Sequence, residues 1–329
     1  MKDLKLSIII PVYNAANTLN DCLLALKGQK YTNVEYIFIN DCSTDNSLDI
    51  INKFAFDMRS QGVEVKVISH SVNGGVAKAR NTGLDNATGD YIYYIDADDY
   101  IDDDALESMV RIVEEYDLDI LGVEWNLCFS RNERYMQQAF FSTPNQAITN
   151  LMCGVMRWNL WLYLVKRSLY EDNKIRFIPG ANMGEDMQVM IKLFMNSKNV
   201  KLINKPYYHY RHINPDAVSN SMSEKNIKEV TVNVNALEEY AIDVNNFEVQ
   251  KLMPLLKLNI KLPLLISNNK ENYKIWYNWF NESNSCVMDN KLLPLRTRLI
   301  QLCAAKKYFF IIRVYYLLVY KFIYGVLYK

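Results

Sequence analysis

The stretch Tyr91-Ile92-Tyr93-Tyr94-Ile95-Asp96-Ala97-Asp98-Asp99-Tyr100 decides how this chain is read. An apolar and aromatic run leads straight into carboxylates, the pattern of a buried strand that delivers two acids, one residue apart, to its own end. Acids so placed can hold a divalent cation against a ligand's phosphates, because hard cations take oxygen ligands and share them with phosphate. The same stretch could instead open the next helix, where Asp102, Asp103 and Asp104 would suit the positive helix end, and Asp99 is read with those three as a helix-start acid. The surrounding chain separates the two readings.

Upstream, Leu6 to Ile10 is a short isoleucine-rich run closed by Pro11, which predicts a buried strand. Asn17 can cap a helix whose apolar face is Leu19, Cys22, Leu23 and Leu26. Val34 to Ile39 predicts a second strand, followed by Asn40-Asp41-Cys42-Ser43-Thr44-Asp45 and a helix carrying Leu48, Ile51, Phe54, Ala55 and Met58 on one side. Val63, Val65 and Val67 alternate with Glu64 and Lys66 as a third strand, and Asn73-Gly74-Gly75 turns the chain into a helix bearing Val76, Arg80 and Leu84. This strand–helix alternation predicts an α/β fold, a mostly parallel sheet with flanking helices, with ligand bound beyond the carboxyl ends of the strands. Those ends are Pro11-Val-Tyr13-Asn14, Asn40-Asp41 and Asp96-Ala-Asp98, all polar. A nicotinamide-binding domain would place G-x-G-x-x-G after the first strand, but Ile10 is followed by Pro-Val-Tyr-Asn-Ala-Ala. With no glycine loop or P-loop to hold phosphates, a metal at Asp96 and Asp98 is the natural counter-charge.

A chain of 329 residues, half of them hydrophobic, is long enough for a large core plus appended material. Its formal net charge of zero argues against a nucleic-acid binder acting through a global basic surface. The six cysteines are scattered and form no C-x-x-C pair, so a reduced, cytoplasmic setting is expected. The N-terminal apolar run is closed too early by Pro11 to read as a signal peptide.

Four stretches, Ser7-Ile-Ile-Ile-Pro-Val-Tyr-Asn14, Asn40-Asp-Cys-Ser-Thr-Asp45, Asn73-Gly-Gly-Val-Ala-Lys-Ala-Arg-Asn81 and Tyr94-Ile-Asp-Ala-Asp-Asp99, resemble family 2 glycosyltransferases of the GT-A fold in order and spacing. The resemblance implies an inverting transfer of a sugar from a nucleotide-sugar, expected to be a UDP-sugar, to a hydroxyl of a glycan or lipid-linked glycan. Pro11, Tyr13, Asn14, Asp41, Ser43, Arg80 and Asp96 would bind the donor. Among them Tyr13 would stack on the base, Asp41 would accept hydrogen bonds from the base edge, Arg80 would help hold the nucleotide, and Asp96 would face the ribose or metal-bound water. Asp98 would ligate Mn²⁺ or Mg²⁺. Beside this reading, Arg80 could simply be a surface helix cation.

The similarity continues more loosely to about residue 221. Asp102 to Tyr116 predicts a helix with Ala105, Leu106, Met109, Val110 and Val113 inward, Asp119 to Trp125 a strand, and residues 127–146 a loop. Trp161 leads a segment that the resemblance places on the acceptor side, although Tyr163 stands where the family usually carries a lysine. Gly184-Glu185-Asp186 opens an amphipathic helix; the resemblance makes Asp186 the general base and puts Glu185 on the acceptor side. Two acids at a helix start also simply complement the helix dipole. His212, after Tyr210-Arg211, is a further candidate metal ligand by the same resemblance.

A catalytic domain of residues 1–221 is thus expected, followed by a helical accessory region of residues 222–329 broken at Pro254, Pro263 and Pro294. From Asn290 to Lys329 there is no acid, while Lys306, Arg313 and Lys321 face Tyr308, Ile311, Ile312, Tyr315, Val319, Phe322, Ile323 and Val326 across a helical period. Arg313 and Lys321 interrupt any ~20-residue apolar span, so peripheral contact with an anionic membrane is expected rather than a transmembrane helix. A helix docked on the protein's own core is the alternative. Two other functions remain open here: a sugar-nucleotide-forming nucleotidyltransferase, which would need a glycine-rich basic loop after the first strand, and an inactive scaffold of a glycan-synthesis complex.

Overall fold

The structure is a computed structural model that describes residues 4–211 and 222–319. The chain divides into two compact units, one of residues Met1–Ala147 and Trp158–Leu237, the other of Ile148–Arg157 and Glu238–Lys329. The first unit begins with the expected alternation: β1 (Leu6–Val12), α1 (Leu19–Lys27), β2 (Val34–Asn40), α2 (Ser47–Ser60), β3 (Glu64–Ser69), α3 (Val76–Asn86) and β4 (Tyr91–Tyr94). It continues through β5 (Tyr100–Ile101), α4 (Ala105–Tyr116), β6 (Ile120–Gly122), β7 (Trp125–Cys128), β8 (Glu133–Met136) and the start of α5 (Pro144–Met152). After the chain re-enters the unit come β9 (Tyr163–Lys166), α6 (Arg167–Asp172), α7 (Glu185–Asn196), β10 (Val200–Leu202), β11 (Tyr208–Arg211) and most of α8 (Glu224–Asp243).

The main sheet has seven strands in the order β10-β6-β9-β4-β1-β2-β3. β1 pairs in parallel with both β2 and β4, β2 with β3, and β6 with β10. β9 runs antiparallel between β4 and β6. Leu6, Ile8, Ile9 and Ile10 of β1 are fully buried, as a central strand covered on both faces requires. Each such side chain contributes about 1.5–3 kcal/mol relative to exposure. The helix faces follow the sequence period: α1 buries Leu19, Cys22, Leu23 and Leu26, and α4 buries Ala105, Leu106, Met109, Val110 and Val113. α1 is preceded by Thr18 rather than capped by Asn17, and α4 starts three residues later than the acids suggested.

A second sheet, β5-β11-β7-β8, corrects two expectations. The single strand expected over Asp119–Trp125 is two strands in different sheets, because Val123 and Glu124 carry the chain from one sheet to the other. The expected loop of residues 127–146 contains β8, which pairs antiparallel with β7, and the first turn of α5. β8 has three exposed residues of four, so no buried face marks it in the sequence.

The second unit holds α9 (Phe247–Lys261), α10 (Lys270–Asn278), α11 (Leu295–Ala305) and α12 (Phe309–Tyr315), as the helical reading expected. Pro254 does not break α9 but lies inside it. Pro263 is the second residue of a 3₁₀ turn (Leu262–Leu265) and Pro294 precedes α11. Lys257 bridges Glu238 and Glu282 at 2.9 and 3.1 Å, and Trp276 is fully buried.

One ionic contact in the first unit was not legible in the sequence. Glu35 of β2 is fully buried, taking hydrogen bonds from Ser7 Oγ and the Thr88 amide at 2.6 Å each and an ion pair from Lys66 Nζ at 2.6 Å. Burial raises its carboxyl, but the bonds from Lys66, Ser7 and Thr88 more than offset this and hold it at about 2. A folded-state pKa below the unfolded 4.5 contributes stability that is present above pH 4.5 and lost as pH falls toward 2. Glu35→Gln is therefore expected to cost about 1–3 kcal/mol at neutral pH, with the gap from wild type closing in acid. Thermal melts from pH 7 to pH 2.5 check this, and a gap independent of pH would contradict it.

Candidate active site

The carboxyl ends of β1, β2 and β4 and the N-terminus of α3 meet through side-chain hydrogen bonds. At the end of β1, Asn14 adopts a left-handed backbone with φ 49°. Its amide donates to Ser43 Oγ at 3.1 Å, and its side-chain oxygen accepts from the Thr44 amide at 2.8 Å. Asp45 accepts from the Ala16 amide and from Ser47, so the acidic loop after β2 is latched to the loop after β1. Tyr13 remains outside this latch with 53% of its surface exposed, and Pro11 is half-buried.

Asp41, at the end of β2, is buried. Its carboxylate accepts from the Gly74 and Gly75 amides at 2.9 and 2.7 Å and meets His70 Nδ1 at 2.6 Å. The Asp41 carboxylate thus sits at the positive end of α3, where exposed amides favour a negative charge. Gly75 has φ 80°, and a Cβ there would lie 2.3 Å from the Asn182 side chain, so only glycine fits. Asn182 in turn accepts from the Ala77 amide at 3.1 Å. His70, which also meets Thr82 Oγ1 at 2.9 Å, escaped the sequence reading because a lone histidine at a strand end carries no pattern.

Arg80 is the hub of the site. α3 places it in the interior, only 4% exposed, which excludes the surface-cation alternative. Nη1 lies 2.6 Å from Glu185 Oε1 and 2.5 Å from Asp186 Oδ1; Nη2 lies 3.5 Å from Asp96 Oδ1. Its carbon also lies over the Tyr94 and Phe177 rings at 5.8 and 5.7 Å. Burial alone would lower the guanidinium's pKa, but Asp186, Glu185 and Asp96 more than restore it and keep the charge fixed. Glu185 is raised well above the ordinary carboxylate range, first by burial and then by Asp186. The Leu160 amide donates to Asp186 Oδ2 at 3.4 Å.

At the end of β4 the two acids part company. Asp98 is exposed, while Asp96 is half-buried beside Arg80. Burial, reinforced by Asp98 and Asp186 and opposed by Arg80, pushes Asp96 up to about 6; burial also raises Asp98. Asp96 and Asp98, one residue apart at the strand end, offer only carboxylate oxygens, the ligand atoms that a hard divalent cation takes. The residues present fit Mn²⁺ or Mg²⁺. His212 lies outside the described residues.

Asp99, expected to be a helix-start acid, is instead buried in the core of the site. It accepts from Tyr208 Oη and from the Arg211 amide at 2.8 Å each, and so ties β11 to the end of β4. Tyr208 Oη also accepts from the Asp96 amide at 3.2 Å. Trp161 is buried, stacked on Tyr208 with ring centroids 4.2 Å apart; Tyr163 is fully buried and takes a hydrogen bond from Gln138 Nε2.

This fold and this assembly of residues have clear relatives. The glycosyl transferase family 2 model matches residues 7–194, more than half of the chain, and the protein belongs to that family. It is a glycosyltransferase of the GT-A fold. It is 27% identical over 273 residues to the uncharacterized glycosyltransferase EpsJ of Bacillus subtilis, covering 77% of each chain. It is also 32% identical over 237 residues to the glycosyltransferase GlyA of Streptococcus pneumoniae; that match takes in 68% of this chain and 32% of that longer protein. Among solved structures, Staphylococcus aureus TarS residues 1–349 in complex with UDP-GlcNAc superposes with a TM-score of 0.70 at 20% identity, over 95% of this chain and 91% of that one.

Removing the Arg80 charge should be costly, because it leaves several carboxylates buried without their cation. Arg80→Met is expected to lose about 3–5 kcal/mol, and Arg80→Lys to recover part of that loss. Denaturant unfolding measures both, and a wild-type midpoint for Arg80→Met would refute the hub.

Proposed function

We propose that the protein transfers a sugar from a UDP-sugar to a hydroxyl of a glycan or lipid-linked glycan, with inversion at the anomeric carbon. One observation carries the reading: Arg80 gathers Asp186, Glu185 and Asp96 at the strand end that also presents Asp98. In it Tyr13, exposed at the rim, stacks on the uracil, as aromatic faces do on bases. Pro11, Asn14 and Ser43 shape the latch against which the nucleotide lies. Asp41 reads the base edge with the acceptor capacity left beside its glycine amide bonds.

Asp96 and Asp98 face the ribose and diphosphate, with Asp98 as the direct ligand of Mn²⁺ or Mg²⁺ and His212 as a further ligand. Enzymes of this fold commonly use a divalent metal, which supplies charge neutralisation for the departing diphosphate. Asp186 accepts the proton of the acceptor hydroxyl as it attacks. Arg80 holds that carboxylate in place and Glu185 helps shape the acceptor side. Trp161 backs the acceptor side through its stack on Tyr208. The UDP reading is supported by the TarS complex with UDP-GlcNAc, and that protein is named a poly(ribitol-phosphate) beta-N-acetylglucosaminyltransferase.

A panel of nucleotide sugars assayed for released nucleotide diphosphate, with and without Mn²⁺, tests the proposal. Release should require the cation and fall by about 10²–10⁴ in Asp186→Asn, with a comparable loss in Asp98→Ala. Release that survives both substitutions would overturn these roles, and no release from any donor would favour a scaffold.

We also place the protein peripherally on the cytoplasmic face of an anionic membrane. Supporting this, Phe310 and Leu318 are 78% and 58% exposed near exposed Lys306 and Lys307, although Ile312 is buried within the second unit. Among the described residues no helix is long and apolar enough to cross a membrane. Of the expected helix, Phe322, Ile323 and Val326 on the apolar face and Lys321 opposite them lie outside the described residues. Deleting residues 305–329 should move the protein from the membrane to the soluble fraction on cell fractionation; unchanged membrane recovery would refute this placement.

A further inference from the structure

The second sheet brings three unlike side chains together on one face. β7 and β8 pair Cys128 directly with Glu133, and β11 pairs His209 with Asn126, two residues before Cys128 on the same face. Cys128 Sγ lies 3.7 Å from His209 Nδ1 and 3.7 Å from Glu133 Oε2, and those last two atoms are 3.6 Å apart. A point equidistant from all three is about 2.1 Å from each, within the range of zinc bonds to sulfur, imidazole nitrogen and carboxylate oxygen.

A second feature prepares the histidine for a metal. His209 Nε2 lies 2.8 Å from Asp102 Oδ1. A carboxylate accepts only, so Nε2 carries the proton and Nδ1 turns its lone pair toward Cys128 and Glu133. This is the carboxylate–histidine arrangement that orients metal-bound imidazoles. Tyr100 stacks on the ring at 4.4 Å between centroids and fixes its plane. The nearby Arg211 guanidinium is drawn off to Asp21, 2.6 Å away, so it does not occupy the position itself.

We propose that Cys128, Glu133 and His209 bind one Zn²⁺ ion, separate from the cation site at Asp98. Thiolate, carboxylate and neutral imidazole together balance the two positive charges, and the thiolate selects zinc over magnesium or manganese. Binding releases the Cys128 proton to solvent and leaves a fourth position for water, since Glu133 is exposed. The ion would staple β8 and β7 to β11, the strand whose Tyr208 and Arg211 backbone hold Asp99.

The test uses the full-length protein stripped by a chelator and titrated with Co²⁺ as a spectroscopic stand-in. One equivalent is expected to give tetrahedral cobalt bands with a thiolate charge-transfer band, displaced by Zn²⁺ and not by Mg²⁺. Cys128→Ser should lose the charge-transfer band. Glu133→Gln, at an exposed side chain that folding tolerates, should weaken Zn²⁺ at least as much as Asp102→Asn, for which about 10–100-fold is expected. Asp98→Ala should leave the band in place. No stoichiometric binding, a charge-transfer band that persists in Cys128→Ser, or wild-type Zn²⁺ affinity in Glu133→Gln would each overturn the site.

Discussion

A single buried guanidinium organises the carboxyl ends of the strands in the first unit. Arg80 meets Glu185 and Asp186 from the start of α7 and approaches Asp96 at the end of β4, so elements over a hundred residues apart share one charge. Carboxylates this close would repel one another in a low-dielectric interior, and the cation makes their proximity possible. The planar fork of arginine serves two acids from one nitrogen and turns the other toward a third, and the helix that carries it packs tightly against the sheet. That packing is close: a Cβ at Gly83, on the same helix, would lie 2.3 Å from the Ile9 side chain of β1.

The same logic of buried acids with assigned partners recurs nearby, each time with a different task. Asp41 caps α3 through the Gly74 and Gly75 amides, Asp99 anchors β11, and Glu35 ties β2 to β1 and to the turn before β4. The acids at the rim differ in lacking such complete satisfaction. Asp98 stands exposed and Asp96 only half covered, and for that reason they are the carboxylates available to a ligand.

Much of this was legible beforehand. The buried faces of α1 and α4 follow their apolar spacing residue for residue, and the parallel core strands follow their unbroken isoleucine and tyrosine runs. The candidate site residues Tyr13, Asp41, Arg80 and Asp98 were singled out by their positions in the four family-like stretches, and Asp186 by its place in Gly184-Glu185-Asp186. Other features had no local signature. β8 is too exposed to alternate, His70 is an isolated polar residue, and Pro254 sits within α9 although proline usually marks a break. Asp99 was misjudged because an acid followed by more acids looks solvated until its partners from β11 are in place.

What the sequence determined by itself was the alternation of strands and helices, the faces they bury and the short motifs at the strand ends, all governed by periodicities of two and 3.6 residues. The tertiary structure decided which acids would share Arg80, which would be consumed in holding the frame, and that residues 125–136 would leave the main sheet for a second one. Those outcomes depend on pairings such as Arg80 with Glu185 or Tyr208 with Asp99, separated by 105 and 109 residues. Local propensity acts within a few residues, so contacts at that range are set only when the whole chain packs and every buried charge must find its partner.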